Sequence, residues 1–173
     1  MKDIPTMLPV FVFLACLAAC GDSAGPFDPP QEAVSVDGVA LRLSLSVEPR
    51  TIAPGDTARI QIVVRNTSER TLHLEAGGCP LLYYIENAAG EVVVPEGGDW
   101  ICTMILQLID LAPGAAREHS ETWAGESCRW VDGERQCTPL PAGEYRVYAT
   151  FRAREGAREV SLRTPNITLR LEG

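Results

Sequence analysis

The chain has 173 residues, a formal net charge of −8 and 46% hydrophobic residues. This length suits one domain of ordinary size with a short tether. An acidic chain has no electrostatic attraction for nucleic acid or for the anionic face of a bilayer, so we expect no nucleic-acid partner.

The first 19 residues are predicted to be a lipoprotein signal peptide. Residues 4–19 carry no charge and are too few for a membrane-spanning helix, which needs about 20. Leu17-Ala18-Ala19-Cys20 then places a cysteine after two small residues, which is the pattern of a bacterial lipoprotein processing site. Cys20 is therefore the expected lipidation site. The alternative is an ordinary secretory signal cleaved at an Ala-x-Ala site.

A lipid on Cys20 would attach the mature chain to a bacterial membrane in the cell envelope. Each buried methylene of a lipid chain contributes about 0.8 kcal/mol, so the two or three chains of a lipoprotein hold it durably. The sequence leaves open whether this is the outer or the plasma membrane. Residues 20–38 hold Pro26, Pro29 and Pro30 among Gly, Ser and acidic residues, which predicts a flexible linker.

From residue 39 to residue 173 the sequence predicts a single β domain. Apolar side chains alternate with polar ones, which is the period of half-buried strands. The predicted strands cover residues 41–47, 58–65, 71–75, 81–85, 91–94, 117–123, 144–152, 158–163 and 166–171. Residues 100–111 are apolar but irregular and are assigned a strand or a short helical turn.

Eight or nine short strands without a long helix predict an all-β, immunoglobulin-like antiparallel β-sandwich. The inward-facing set predicted for its core is Leu43, Leu45, Ile60, Ile62, Val64, Leu72, Leu74, Tyr145, Val147 and Phe151. Tyr145 follows the turn Pro141-Ala142-Gly143, where it is either a tyrosine corner, with its hydroxyl bonded to nearby backbone, or an ordinary core tyrosine.

Four cysteines remain once Cys16 leaves with the signal and Cys20 is acylated: Cys79, Cys102, Cys128 and Cys137. An even number in an exported domain predicts two disulfides. Zinc binding is the alternative, but no two of these cysteines are spaced as C-x-x-C and no histidine lies near them in the sequence.

Three disulfide pairings are open to four cysteines. The hairpin signal Asp132-Gly133 lies midway between Cys128 and Cys137 and favours their pairing. Cys79–Cys102 follows by elimination.

Four motifs occur in order along residues 41–171: Val63-Val64-Arg65-Asn66-Thr67-Ser68 with Leu72-His73-Leu74, residues 85–93 with the Gly90 turn, Leu111-Ala112-Pro113-Gly114 before Glu121-Thr122-Trp123, and Leu140-Pro141-Ala142-Gly143-Glu144-Tyr145-Arg146-Val147. In order and spacing they resemble the BsuPI family, the intracellular proteinase inhibitor-type domains of bacteria. The resemblance implies an immunoglobulin-like sandwich and protease inhibition. The family offers no reactive-site motif to place on residues here.

The chain departs from that family at three points. Leu82-Tyr83-Tyr84 stands where the family often has Tyr-Asp-Phe, and Val93 or Val94 replaces a tryptophan after the Gly90 turn. The four cysteines are also outside the family pattern.

The sequence contains no recognisable catalytic constellation. Its two histidines, His73 and His119, lie on separate strands, and Gly125-Glu126-Ser127 lacks the second glycine of a nucleophile elbow. We therefore expect a protein that is not an enzyme, with no cofactor and no metal. Hydrolysis is a distant alternative.

Residues 128–137 form the most distinctive surface feature and carry Arg129, Trp130 and Arg135. One interpretation is a stapled insertion with Trp130 folded onto the sheet. The other is a constrained recognition loop, because Trp and Arg are enriched at binding hot spots and a rigid loop loses little entropy on binding.

We expect a membrane-anchored envelope lipoprotein that binds a protein partner. Proteinase inhibition through this exposed loop, with Arg129 or Arg135 in a trypsin-like cleft, is the alternative.

Overall fold

A computed structural model describes residues 31–34 and 40–173. The predicted signal peptide, Cys20 and the linker residues other than Gln31–Val34 lie outside the described residues. The strands in the described residues are β1 Gln31–Val34, β2 Leu41–Glu48, β3 Thr51–Ile52, β4 Ala58–Asn66, β5 Leu72–Ala76, β6 Leu81–Glu86, β7 Val92–Val94, β8 Gln107–Leu111, β9 Ala116–Trp123, β10 Glu126–Val131, β11 Glu134–Pro139, β12 Gly143–Glu155, β13 Arg158–Arg163 and β14 Ile167–Leu171.

The smaller main sheet has four antiparallel strands in the order β1-β2-β4-β9. Its register sets Leu43 opposite Val64 and Ile62 opposite His119. The strand β9 therefore forms one edge of this sheet and β1 forms the other.

The larger sheet is organised around β12, the longest strand. One edge of β12 pairs with β14 and then β13, while the other pairs with β6 and, through Arg154 and Glu75, with β5. The strands β7 and β8 extend the sheet beyond β6 and β5, and β3 joins β14 as its parallel neighbour.

The two main sheets enclose one hydrophobic core. All ten side chains predicted for the core are buried, and Leu43, Ile62 and Phe151 have no exposed surface. This arrangement confirms the predicted all-β, immunoglobulin-like sandwich. Because strand side chains point alternately to opposite faces, the period-two pattern was sufficient to identify the inward face.

Three local features of the structure differ from the expectations. The sequence predicted eight or nine strands, and the described residues form more, because short strands such as β3 complete the sheet edges. Residues 101–106 lack regular structure and β8 begins only at Gln107, so the helical alternative for residues 100–111 is wrong. The strand β1 lies within the segment predicted as linker, so sheet pairing starts before residue 39.

Two polar side chains fix the ends of the strands. The Tyr145 hydroxyl donates to the Pro141 carbonyl at 2.7 Å, which is the hydrogen bond of a tyrosine corner. The side-chain amide of Asn66, which is fully buried, donates to the backbone carbonyls of Arg70, Leu111 and Ala112.

In the part of the chain that is described, no helix is long and apolar enough to span a membrane.

Candidate functional site

The strands β10 and β11 form a separate two-stranded hairpin, as the sequence predicted. Asp132 and Gly133 both have positive φ, at 51° and 85°, which is the type I′ turn that Asp-Gly favours. Cys128 lies directly opposite Cys137, and the two are joined by a disulfide with their Cα atoms 4.0 Å apart.

The three predicted loop residues divide between the two faces of the hairpin. Trp130 pairs with Arg135 across the ladder, so both lie on the face that carries the disulfide. Arg129 lies on the other face, where its Nη1 is 3.3 Å from Oε1 of Glu96. Trp130 is 61% exposed, which contradicts the interpretation that it folds onto the sheet.

The second disulfide joins Cys79 to Cys102 with a Cα separation of 5.6 Å, so both predicted pairings are present. It secures an irregular segment against the turn between β5 and β6. Gln107 Nε2 also donates to the Gly78 carbonyl at 2.8 Å. A Cβ atom on Gly78 would overlap the backbone and side chain of Thr103, so only glycine permits this close approach.

This secured segment, residues 101–108, carries a cluster of exposed apolar side chains, and we name it the apolar segment. The exposed fractions of these residues run from 62% to 104%. They are Ile101, Met104, Ile105, Leu106 and Leu108. No function was predicted for this segment from the sequence. The signal that could have identified it is an uncharged stretch, residues 100–109, without the alternation of a half-buried strand.

A cleft of about 310 Å³ opens beside the apolar segment, between β9 and residues 78–83. Leu81, Tyr83 and Trp100 form its apolar lining. The Tyr83 and Trp100 rings meet edge to face at 5.2 Å, and Trp100 Nε1 donates to the Tyr83 carbonyl at 2.7 Å. These contacts hold both aromatic rings in place.

The opposite wall of the cleft consists of polar side chains from β9. Arg117, His119 and Glu121 lie opposite Val64, Ile62 and Ile60, respectively, and hence on the inward face of the sheet. Arg117 Nη2 donates to Gln107 Oε1 at 2.5 Å, whereas His119 Nε2 is 3.8 Å from Glu121 Oε2. Burial and the neighbouring Glu121 carboxylate together raise the pKa of the Tyr83 hydroxyl well above its usual range.

The structure keeps the two histidines in separate environments. His73 Nδ1 is 2.7 Å from Asp110 Oδ1 on an exposed face of the larger sheet, and His119 lines the cleft on the smaller sheet. Glu126 lies close to Cys128 and Cys137, but the disulfide removes both thiolates that a metal would need.

Similarity to known proteins was found only among solved structures. No protein-family model matches the chain, and no curated protein matches it. The chain is similar, at 11% identity and a TM-score of 0.39, to a β-glucosidase from Listeria innocua in complex with glucose, covering 80% of this chain and 16% of that one. It is similar, at 14% identity and a TM-score of 0.40, to the CARDB domain of the PF1109 protein from Pyrococcus furiosus, covering 76% of this chain and 87% of that one.

The C-terminal domain of wzt is a third similar structure, at 9% identity and a TM-score of 0.43, with 84% of this chain and 80% of that chain covered. The chain spans about one sixth of the β-glucosidases that it matches. At these identities and TM-scores the similarities carry no argument about activity or ligands.

Proposed function

We propose that the chain is a membrane-anchored, non-enzymatic lipoprotein of the bacterial envelope whose sandwich binds a protein partner. The observation that carries the proposal is the apolar segment, which a disulfide secures while leaving five large side chains exposed. Burying a leucine, isoleucine or methionine side chain contributes about 1.5–3 kcal/mol. A cluster of such side chains on the surface marks an interaction site.

The charges around the apolar segment favour a protein over a lipid surface. Asp99 and Asp110 flank the segment in sequence, and Glu75 pairs with Leu108 across the ladder. Carboxylates in these positions repel the anionic headgroups of a bilayer. A partner protein can bury the apolar side chains and leave these carboxylates hydrated at the rim of the interface.

Trp130 provides a second anchor for the same partner. It is exposed on the disulfide-closed hairpin, and the hairpin is joined to the chain preceding the apolar segment by the Arg129–Glu96 ion pair and by a hydrogen bond from Ser127 to Val93. Tryptophan is enriched at binding hot spots. A preorganised hairpin also lowers the entropy lost on association.

The membrane anchor is proposed from the processing pattern at Cys20, and the two disulfides support export. Disulfides persist in oxidising compartments and are rare in the bacterial cytosol. The BsuPI resemblance stays a prediction, as does protease inhibition. Of the two arginines considered for it, Arg129 is paired with Glu96, whereas Arg135 is exposed on β11.

Replacing Cys20 by serine is expected to abolish membrane attachment, because the acylated thiol is lost. The variant should accumulate as precursor or appear in the soluble fraction, while the parent chain sediments with membranes. Mass spectrometry of the parent should identify diacylglyceryl-modified Cys20 as the first residue. A mature parent chain with an unmodified Cys20 would contradict the anchor.

A photo-crosslinking residue at position 104 is expected to capture a discrete protein partner in intact cells, because the Met104 side chain is fully exposed in the apolar segment. The same residue at position 144, where exposed Glu144 is replaced, serves as the control. Gel shift and mass spectrometry measure the adduct. Equal adducts at both positions, or none at position 104, would contradict the proposed surface.

A further inference from the structure

We infer that the free edge of β9, together with the cleft beside it, binds an extended cationic segment of the protein partner as an added strand. This inference rests on the proposed protein-binding function and specifies how one part of the partner is held. The added strand extends the smaller sheet, and one of its lysine or arginine side chains enters the cleft.

The backbone of β9 offers the pairing groups that an added strand needs. Among the described residues β9 pairs only with β4. The backbone N–H of Asn66 donates to the Ala115 carbonyl, which fixes the hydrogen-bonding pattern of this antiparallel ladder. Because the pattern alternates along the strand, the backbone N–H and C=O groups at the free edge are those of Glu118, Ser120 and Thr122. Such an edge is the template for strand addition, in which main-chain hydrogen bonds provide affinity.

The cleft lies where alternate side chains of an added strand would point. Arg117, His119 and Glu121 face inward from β9, so the inward side chains of a strand paired with β9 enter the same space. In most edge strands of a sandwich these inward positions carry apolar side chains that complete the core. Here they are polar and leave a cavity of about 310 Å³ instead of a packed interface.

The lining of the cleft matches a long cationic side chain. Tyr83 and Trp100 provide aromatic surface for the aliphatic stem, and the Glu121 carboxylate lies beside Tyr83 to receive the charged end. Two arginines of the chain also lie near the cleft. Arg117 is held by Gln107 at the end away from Glu121, and Arg135 of the hairpin is close enough for its charge to act on the Tyr83 hydroxyl. The net charge of −8 attracts a cationic segment and opposes edge pairing between two copies of the chain.

The first test uses a fluorescent peptide of alternating valine and lysine, about ten residues long, which is the upper end of the usual strand length. The intact lipoprotein in detergent should bind it, as measured by fluorescence anisotropy. Hydrogen exchange should show new protection at the amides of Glu118, Ser120 and Thr122. A peptide of alternating valine and glutamate should not bind, and neither should the lysine peptide with N-methyl groups on alternate residues, because it cannot donate along one edge.

The second test separates the cleft from general attraction to an acidic protein. Glu121→Gln keeps the size of the side chain and should weaken binding of the lysine peptide about tenfold. Glu144→Gln makes the same charge change at a remote exposed position and should leave binding within about twofold.

Three results would overturn the inference: no binding of the lysine peptide, equal binding of its N-methylated form, or equal weakening by the two glutamine variants. If the lysine peptide does not bind, the polar side chains that face inward from β9 serve only to block edge pairing. Failure of the proposed function is distinguishable, because it appears as absence of a crosslinked partner at position 104 whatever the peptide does.

Discussion

Replacing Asn66 by alanine is expected to lower the free energy of unfolding by about 3 kcal/mol, because buried carbonyl groups lose their donor. The Asn66 side chain has no exposed surface. Its Nδ2 donates to the Leu111 carbonyl at 2.8 Å and to the Arg70 carbonyl at 2.7 Å, while its Oδ1 accepts from the Ser68 amide and hydroxyl. One side chain thus connects the end of β4 in the smaller sheet to β8 in the larger sheet.

Urea unfolding, monitored by circular dichroism, measures this loss. Asn66→Asp separates the donor from the acceptor role, because it keeps the shape and the acceptor but removes the NH₂ group. We expect it to be at least as destabilising as alanine. Thr67→Ala changes the neighbouring exposed residue and should cost less than about 0.5 kcal/mol. A loss at Asn66→Ala as small as that at Thr67→Ala would show that the connection between the sheets does not depend on this amide.

Removing the Cys79–Cys102 disulfide by paired serine substitutions is expected to cost about 3.5 kcal/mol, since the chain-entropy estimate grows with the length of the closed loop. The sequence separation is 23 residues, against 9 for Cys128–Cys137. The matched removal of Cys128–Cys137 should cost less, about 2.7 kcal/mol.

The two disulfide variants should also differ in where they loosen the chain. Loss of Cys79–Cys102 should increase hydrogen exchange in residues 101–107, because that bond secures the base of the apolar segment. Loss of Cys128–Cys137 should affect the hairpin instead. Unfolding curves that are identical with and without reductant, or increased exchange in the hairpin when only Cys79–Cys102 is removed, would contradict this assignment.

The fold was predictable from sequence wherever one face of a strand meets the core and the other meets water. Leu41 to Val47 and Ala58 to Val64 follow this alternation, and the structure places their apolar side chains inward. The hairpin was predictable for a different reason. Asp132-Gly133 determines its turn locally, and the turn brings Cys128 and Cys137 into register.

The rest of the site depends on contacts between segments that are distant in sequence. The burial of Asn66 could not be predicted, because it arises only when β8 approaches from 45 residues away. The cleft escaped prediction because β9 carries polar residues on both faces, so no periodic signal distinguishes its inward side. The apolar segment followed neither strand nor helix periodicity, and its exposure is set by the disulfide that secures it.

The central claim is that the exposed side chains of the apolar segment, such as Met104 and Ile105, serve binding and contribute little to folding. The most direct test measures both properties in one variant, Met104→Ser combined with Ile105→Ser, with the photo-crosslinking residue at position 130. We expect the free energy of unfolding to change by less than about 0.5 kcal/mol, because both side chains are exposed, and the crosslinked partner to be lost. Retention of the partner at the parent yield, or a stability loss of about 2 kcal/mol or more as for buried side chains, would contradict the claim.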